Sequence, residues 1–402
     1  MKVLQVVSYY SPAFSFGGPP RVMFDLGKEL VGRGHLVQVY TTDVLNIENW
    51  KERIREKDSE INGVVVHRFR RASFAYMLPT KFLKLLVLEE EYSKELNNFD
   101  IIHFSEITHP LAVHFCNIAR KLKIPYIISI FGNLTPVDSS IMNMFRTFFD
   151  VLWGQKILQQ ASALLVQTPH EEEMCKSYAP KGKIVHLSLP VDLNLFKELP
   201  LRGLFRKKHN ITEDEKIILF LGRIHENKGV QLLIKAFATL TKEFISSGPL
   251  VIAGADEGYK VFLSKLVSSF CIEDKVIFTG PVFGREKLEA YVDADVFVLT
   301  PNVYEETSLA ALEAAACGTP VIVTDYNAIP GLQEYDAGFQ VSYDEERLKE
   351  ALIKILSDDD LRKKMGINAR RLIEQEYSLN MVTARLEKLF EQIIEAQGNR
   401  KH

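Results

Sequence analysis

Short, β-rich, mainly apolar runs alternate with amphipathic stretches along nearly all of the chain, and the alternation starts afresh near residue 190. In the first half the runs are VLQVV (3–7), LVQVYTT (36–42), VVVHRF (64–69), IIHF (101–104), PYIISI (125–130), ALLVQT (163–168) and KIVHL (183–187). In the second they are IILFLG (217–222), LVIAG (250–254), VIFTG (276–280), VFVLT (296–300), VIVTD (321–325) and FQVS (339–342), with helical patterns near 229–245, 258–270, 284–292 and 308–317. Strands apolar on both faces and joined by helices predict parallel sheets covered on both sides. The expected fold is therefore α/β: two Rossmann-like doubly wound domains in tandem, each binding ligands beyond the carboxyl ends of its strands.

The stretch 191–215, bounded by Pro190 and rich in charge, is expected to be a linker. It separates a domain over 1–190 from one over 216–377, and the chain then ends in helices with no further strand signal. A length of 402 residues suits two large α/β domains. With 49 Lys+Arg against 52 Asp+Glu and a net charge of −3, the chain lacks the strong basic excess of a dedicated nucleic-acid binder. Cys116, Cys175, Cys271 and Cys317 show no CxxC spacing, which fits a reducing compartment and argues against a zinc ribbon. The opening MKVLQVVSYYSP reads as a strand instead of a signal peptide, and no run is long enough to span a bilayer. The expected location is cytoplasmic, with peripheral contact at the inner face of the cell membrane as a further option.

Three stretches carry chemistry. The first is Tyr304-Glu305-Glu306-Thr307-Ser308-Leu309 running into an alanine-rich helix that Gly318 and Pro320 stop. Thr307 or Ser308 would cap the helix, and the unpartnered amides of its first turn would attract phosphate. Glu305 lies before the cap, and Glu313 is expected to face outward about a turn and a half on. Such an arrangement suits a sugar nucleotide, whose hydroxyls would bond to the two acids. An ordinary capped helix with a solvated glutamate fits the same residues equally well.

The second stretch is Gly222-Arg223-Ile224-His225-Glu226-Asn227-Lys228-Gly229, directly after a strand. Gly222 would let the chain turn, and Arg223 and Lys228 would neutralise a diphosphate. A solvated basic loop fits as well. The third is Phe16-Gly17-Gly18-Pro19-Pro20-Arg21, where paired glycines permit close backbone approach or form a plain strand-to-helix turn. Gly32-Arg33-Gly34 precedes a strand instead of following one, the wrong context for a nicotinamide fingerprint. His35, His67, His114 and His186 read as structural, and Asp358-Asp359-Asp360 reads as helix capping.

In this order, GGP, RGHxVxVxT, GRxxxxKG and the acid–acid helix strongly resemble the family 4 glycosyltransferases of GT-B fold, from residue 1 to about 390. The resemblance implies a retaining, metal-independent hexosyltransferase that uses a nucleotide-diphosphate sugar as co-substrate, with no cofactor. It implies that Arg223 and Lys228 bind the donor diphosphate, Glu305 the sugar hydroxyls and Glu313 the ribose. Backbone at Thr307, Ser308 and Leu309 would meet sugar and phosphate, backbone near Val282 the base, and Gly17 and Gly18 the donor phosphate or acceptor. The fold further implies a final helix, about 378–397, that returns to the first domain.

Two positions depart from the family pattern. Thr307-Ser308 replaces a common Phe-Gly, and Phe131 stands where many relatives carry His or Arg before a glycine. His103 and Glu106, at the end of IIHF, are candidates to supply the missing side chain, although His103 also reads as a residue packing the strand end. Segments 74–96 and 141–158 suit a lipid-linked acceptor at a membrane surface, but core packing explains the same residues and is the favoured reading, because apolar helical stripes are usually core. The expected partners are a nucleotide-sugar donor and a glycan or lipid-linked acceptor, as in polysaccharide, lipopolysaccharide or glycolipid synthesis. A non-catalytic sugar-nucleotide-binding protein, or an epimerase or phosphorylase of the same architecture, is the alternative.

Overall fold

A computed structural model describes residues 1–46, 49, 51–70, 90–107, 109–132, 134, 154–243 and 248–398. The chain forms two compact units, residues 1–190 with 379–402, and residues 191–378. Each is an α/β sheet of the expected kind.

The first unit carries eight strands: β1 (Lys2–Val6), β2 (Leu36–Thr42), β3 (Asp58–Ile61), β4 (Val64–Phe69), β5 (Ile101–Phe104), β6 (Tyr126–Ser129), β7 (Ala163–Val166) and β8 (Ile184–His186). Their order is β3-β4-β2-β1-β5-β6-β7-β8. All pairs are parallel except β3–β4. That antiparallel hairpin turns through Asn62 and Gly63, both with positive φ (52° and 78°), as an Asn-Gly turn requires. One face of the sheet buries Leu4, Val6, Ile102, Phe104, Ile128 and Leu164 in an apolar cluster with Leu111 and Phe115.

Helices of this unit are α1 (Gly18–Gly32), α2 (Glu90–Glu95), α3 (Pro110–Leu122), α4 (Gln155–Gln160) and α5 (Pro169–Tyr178). The second unit contributes α6 (Leu204–Lys208), α7 (Val230–Glu243), α8 (Lys260–Ser269), α9 (Gly284–Asp293), α10 (Leu309–Ala316), α11 (Glu345–Ser357) and α12 (Asp359–Leu372). The final helix, α13 (Leu379–Gly398), belongs to the first unit. There Glu387 of α13 meets Arg33 at 3.0 Å and His35 at 2.6 Å, and Arg33 also reaches the Asn380 carbonyl at 2.8 Å. His35 is thus a structural histidine, as are His67 on Asp58 and His186 on Glu172.

The second unit is a six-stranded parallel sheet of order β11-β10-β9-β12-β13-β14. Its strands are β9 (Ile218–Leu221), β10 (Leu250–Ala253), β11 (Val276–Gly280), β12 (Val296–Leu299), β13 (Val321–Thr324) and β14 (Gly338–Val341). The four central strands are buried or nearly so at every residue, which is why each reads as a continuous apolar run.

The stretch 191–215 is built into this unit and is not a free tether. Within it, α6 carries Arg206, whose guanidinium reaches Asp295 at 2.8 Å and the carbonyls of Thr212, Glu215 and Asp293. Asp295 has no exposed side-chain surface, and it also takes Arg202 at 2.9 Å, Arg362 at 3.3 Å and the Ile217 amide at 2.9 Å. Asp358 caps α12 by accepting from the Asp360 and Leu361 amides, which is the capping role expected for that acidic run. Among the described residues no helix is long and apolar enough to cross a membrane.

Candidate functional site

In the second unit, the carboxyl ends of β9 and β12 bring two of the three sequence motifs together. After β9 the chain makes a single 3-10 turn, Glu226–Lys228, capped by His225, whose Nδ1 accepts from the Asn227 amide at 3.1 Å. Gly229 then lies against the end of β12 with φ +63°, and a Cβ placed there would stand 1.6 Å from the Thr300 carbonyl oxygen. Thr300 Oγ1 donates to the Gly229 carbonyl at 3.0 Å, which locks the two loops. Gly222, expected to permit the turn, has room for a Cβ with only the Phe220 ring 3.4 Å away; the glycine forced at this level is Gly254, whose Cβ would strike the Gly222 carbonyl.

This packing delivers Lys228 to Glu305: Nζ donates to Oε1 at 2.5 Å, with the side chains 16% and 29% exposed. The Glu305 loop is itself anchored. Its amide donates to the Tyr326 carbonyl at 2.7 Å, and Asn327 Nδ2 donates to the carbonyls of Glu305 (3.2 Å) and Glu306 (2.6 Å). Thr307 Oγ1 donates to the Ala328 carbonyl at 2.9 Å. Ser308 occupies the N-cap position of α10, but neither its hydroxyl nor that of Thr307 caps the helix. The amide end beginning at Leu309 therefore keeps its capacity for an anion.

Two residues face other partners than expected. Arg223 is 65% exposed and bonds to both oxygens of Glu257 at 2.9 and 3.0 Å, a surface pair of about 0–1 kcal/mol that a stronger anion would displace. Glu313 does not point outward into solvent: it takes Lys287 at 2.8 Å and the Tyr291 hydroxyl at 3.1 Å, both from α9. Burial, with Glu313 beside it, raises the Tyr291 phenol well above its ordinary range, so it serves as a neutral donor. Val282 is buried just before α9.

In the first unit, Gly17 precedes α1 with φ +101°, its amide donating to the Phe14 carbonyl, and Gly18 opens the helix. A Cβ at Gly17 would meet nothing within 4 Å, so backbone conformation alone calls for glycine there. Phe131 also adopts the left-handed region, at φ +50°, ahead of Gly132 at +74°. The loop is held from beneath by buried Glu171, which accepts from the Gly132 amide (2.6 Å) and the Gln167 amide (2.7 Å). A bulky residue kept at positive φ by a buried carboxylate marks a backbone shape held against its local preference. Asn133 lies outside the described residues.

His103 does not supply the missing side chain. It is fully buried in β5, its Nε2 is 2.8 Å from Ser129 Oγ, and the Phe390 ring of α13 packs edge-on against it. Burial pushes its imidazolium down to about 3, so it is neutral at ordinary pH and has no solvent face for proton exchange. In the unfolded chain it would titrate near 6.5. Protons therefore favour the unfolded state as pH falls from about 6.5 toward 3, and stability drops through that window by up to about 1.4 kcal/mol per unit. A His103→Asn variant is expected to show a flatter dependence of melting temperature on pH there; an unchanged slope would assign the acid sensitivity to other groups.

Neighbours in the fold that the sequence did not single out complete the second-unit cluster: Tyr326 and Asn327 after β13, Lys287 and Tyr291 on α9, and Thr300 after β12. Each reaches the site through strand order and not through local spacing.

Comparison with known proteins follows the same division. The model of the glycosyl transferase 4-like domain matches residues 17–189, and that of the glycosyl transferases group 1 matches residues 202–372. An uncharacterized glycosyltransferase of Methanocaldococcus jannaschii is 27% identical, with 99% of this chain and 100% of the relative covered. The N-acetyl-alpha-D-glucosaminyl L-malate synthase of Bacillus anthracis is 25% identical over 96% of this chain and 97% of its own. Among solved structures, Anabaena HepE in complex with UDP superposes with a TM-score of 0.74 at 16% identity, over 98% of this chain and 100% of that one. With the two models together spanning most of its length and each matching one α/β unit, the chain belongs to the group 1 glycosyl transferases of GT-B fold.

Proposed function

We propose that the protein transfers a hexose-type sugar from a nucleotide-diphosphate donor to a glycan or lipid-linked acceptor, with retention of configuration and without a metal. The observation that carries this reading is the Lys228–Glu305 pair, 2.5 Å apart at the carboxyl ends of the sheet and followed by a helix start that no side chain caps. HepE, which shares the fold, was crystallised with UDP, and this supports a nucleoside diphosphate as the donor's leaving part.

On this reading the ion pair is the resting form of the site. An arriving diphosphate draws the Lys228 ammonium away from Glu305, and Arg223 from Glu257. Glu305 is then free to accept hydrogen bonds from sugar hydroxyls, while the amides from Ser308 to Ala310 face the phosphate. Glu313, oriented by Lys287 and Tyr291, accepts from the ribose. The bond between the anomeric carbon and the phosphate oxygen breaks, its electrons passing to the diphosphate. The acceptor oxygen bonds to the same face of the sugar and gives its proton to the departing phosphate. Lys228, Arg223 and the helix start stabilise the charge that builds there, in a setting arranged before the reaction begins.

The test is a thermal-shift panel of UDP-, GDP-, ADP- and dTDP-sugars. A bound donor at a hundred times its Kd is expected to stabilise the protein by about 2.7 kcal/mol. If no sugar nucleotide raises the melting temperature of folded protein, the donor assignment fails. Donor binding without turnover across acceptors would favour a binding protein, and free interconversion of sugar epimers an epimerase.

A further inference from the structure

At the opposite end of the second sheet, where β12 and β13 begin, lies an open groove of about 760 Å³. Its floor is backbone: Gly366 of α12 sits so close to the turn after α10 that a Cβ on it would stand 2.2 Å from the Gly318 carbonyl oxygen. Its walls are cationic, with Arg202, Arg362, Lys363, Arg370 and Arg371 against only Asp295 and Glu374. Both acids are already engaged. Asp295 is held by Arg202, Arg206 and Arg362, and Glu374 by Arg370 at 2.7 Å. Lys363 and Arg371, both exposed, have no carboxylate within ion-pair reach among the described residues; Arg371 lies over the Tyr335 ring, 5.9 Å from its centre. Four of the five cations come from one helix, α12, as two adjacent pairs, Arg362-Lys363 and Arg370-Arg371, whose members are seven to nine residues apart, about two turns, so that both pairs line the groove.

We propose that this groove is a second anion site, distinct from the donor site, that takes a phosphate ester. Guanidinium groups grip phosphate oxygens in pairs, and a lysine adds a point charge. Arg202 and Arg362 are held in place by Asp295 and Arg370 by the Ala316 carbonyl, so three of the five cations are ordered before any ligand arrives. The Ala316 contact also ties the groove to the carboxyl end of α10, the helix whose amino end begins the donor site.

Inorganic pyrophosphate is the probe, titrated calorimetrically into Lys228→Ala so that the donor site is weakened in every sample. Lys228→Ala is expected to bind it, and adding Lys363→Gln and Arg371→Gln is expected to weaken that binding at least tenfold. Absence of binding in Lys228→Ala, or equal affinity in the triple variant, overturns the proposal. Because both substituted side chains are exposed, loss of fold is not the expected cause of weakening, and an unchanged melting temperature in the triple variant checks this. Co-sedimentation with phosphatidylglycerol vesicles, lost in the triple variant, identifies a lipid headgroup as the source of the phosphate. Pyrophosphate binding without sedimentation identifies a soluble phosphate compound as the source instead. The result does not depend on the transferase reading, since Lys228 is absent throughout.

Discussion

Lys228→Ala is expected to lower turnover by about 10²–10³ while leaving the protein folded. The chemistry concentrates negative charge on the departing diphosphate, and Lys228 is a half-buried cation at the end of the sheet, 16% exposed and held at Glu305. A fixed charge of this kind stabilises the transition state far more than a mobile one in water. The loss to stability is small, because a partly exposed Lys–Glu pair contributes about 0–1 kcal/mol. Steady-state kinetics at saturating donor, together with a melting curve, separate the two effects. Turnover within a factor of about three of wild type would remove Lys228 from the charge-stabilising role.

Asp295→Ala is expected to cost about 3–5 kcal/mol of stability, far more than an average substitution. Its carboxylate has no exposed side-chain surface and faces three guanidiniums, from Arg202, Arg206 and Arg362. Removing it strands Arg206, which is itself 3% exposed, as a buried cation without its counter-charge. For a unit of this size the loss corresponds to a fall in melting temperature on the order of 10 °C. Arg202→Ala serves as the contrast: that side chain is 56% exposed, and its loss should cost no more than about 1 kcal/mol. Calorimetry on both variants decides the matter, and a loss below 1 kcal/mol for Asp295→Ala would show that water or a shifted side chain compensates.

The sheets were legible because central parallel strands are apolar on both faces, so VFVL (296–299) and VIVT (321–324) announce themselves without context. The Asn62-Gly63 hairpin carries an equally direct local turn signal, because its two central residues need positive φ, but β3 before it is a polar edge strand without an apolar run of its own. Polar stretches misled for a different reason. The region 191–215 looks like a linker because its charges are visible and their buried partners, Asp293 and Asp295, lie some 90 residues away. Glu313 looked solvated on the same grounds, with Lys287 on a neighbouring helix. His103 is the converse case, a polar residue in an apolar run that stays in the core. Residues 74–89 and 141–153, which hold most of the two stretches considered for the acceptor, lie outside the described residues.

The return of α13 to α1 bears on the order in which the chain acquires its structure. Arg33 and Glu387 meet across 354 positions of sequence, so the first unit is incomplete until the last helix has been made. The second unit needs nothing beyond Ser378. Its entry and exit are joined by the Val191 amide on the Tyr377 carbonyl at 2.7 Å and by the pairing of Val191 with Ser378. Once residues 191–378 have folded, a detour of nearly two hundred residues is thus reduced to a short circuit. Most of the loop-closure entropy for docking α13 has then already been met. In the folded chain the second unit thus acts as a clasp, which holds the point where the chain leaves the first unit beside the point where it returns as α13.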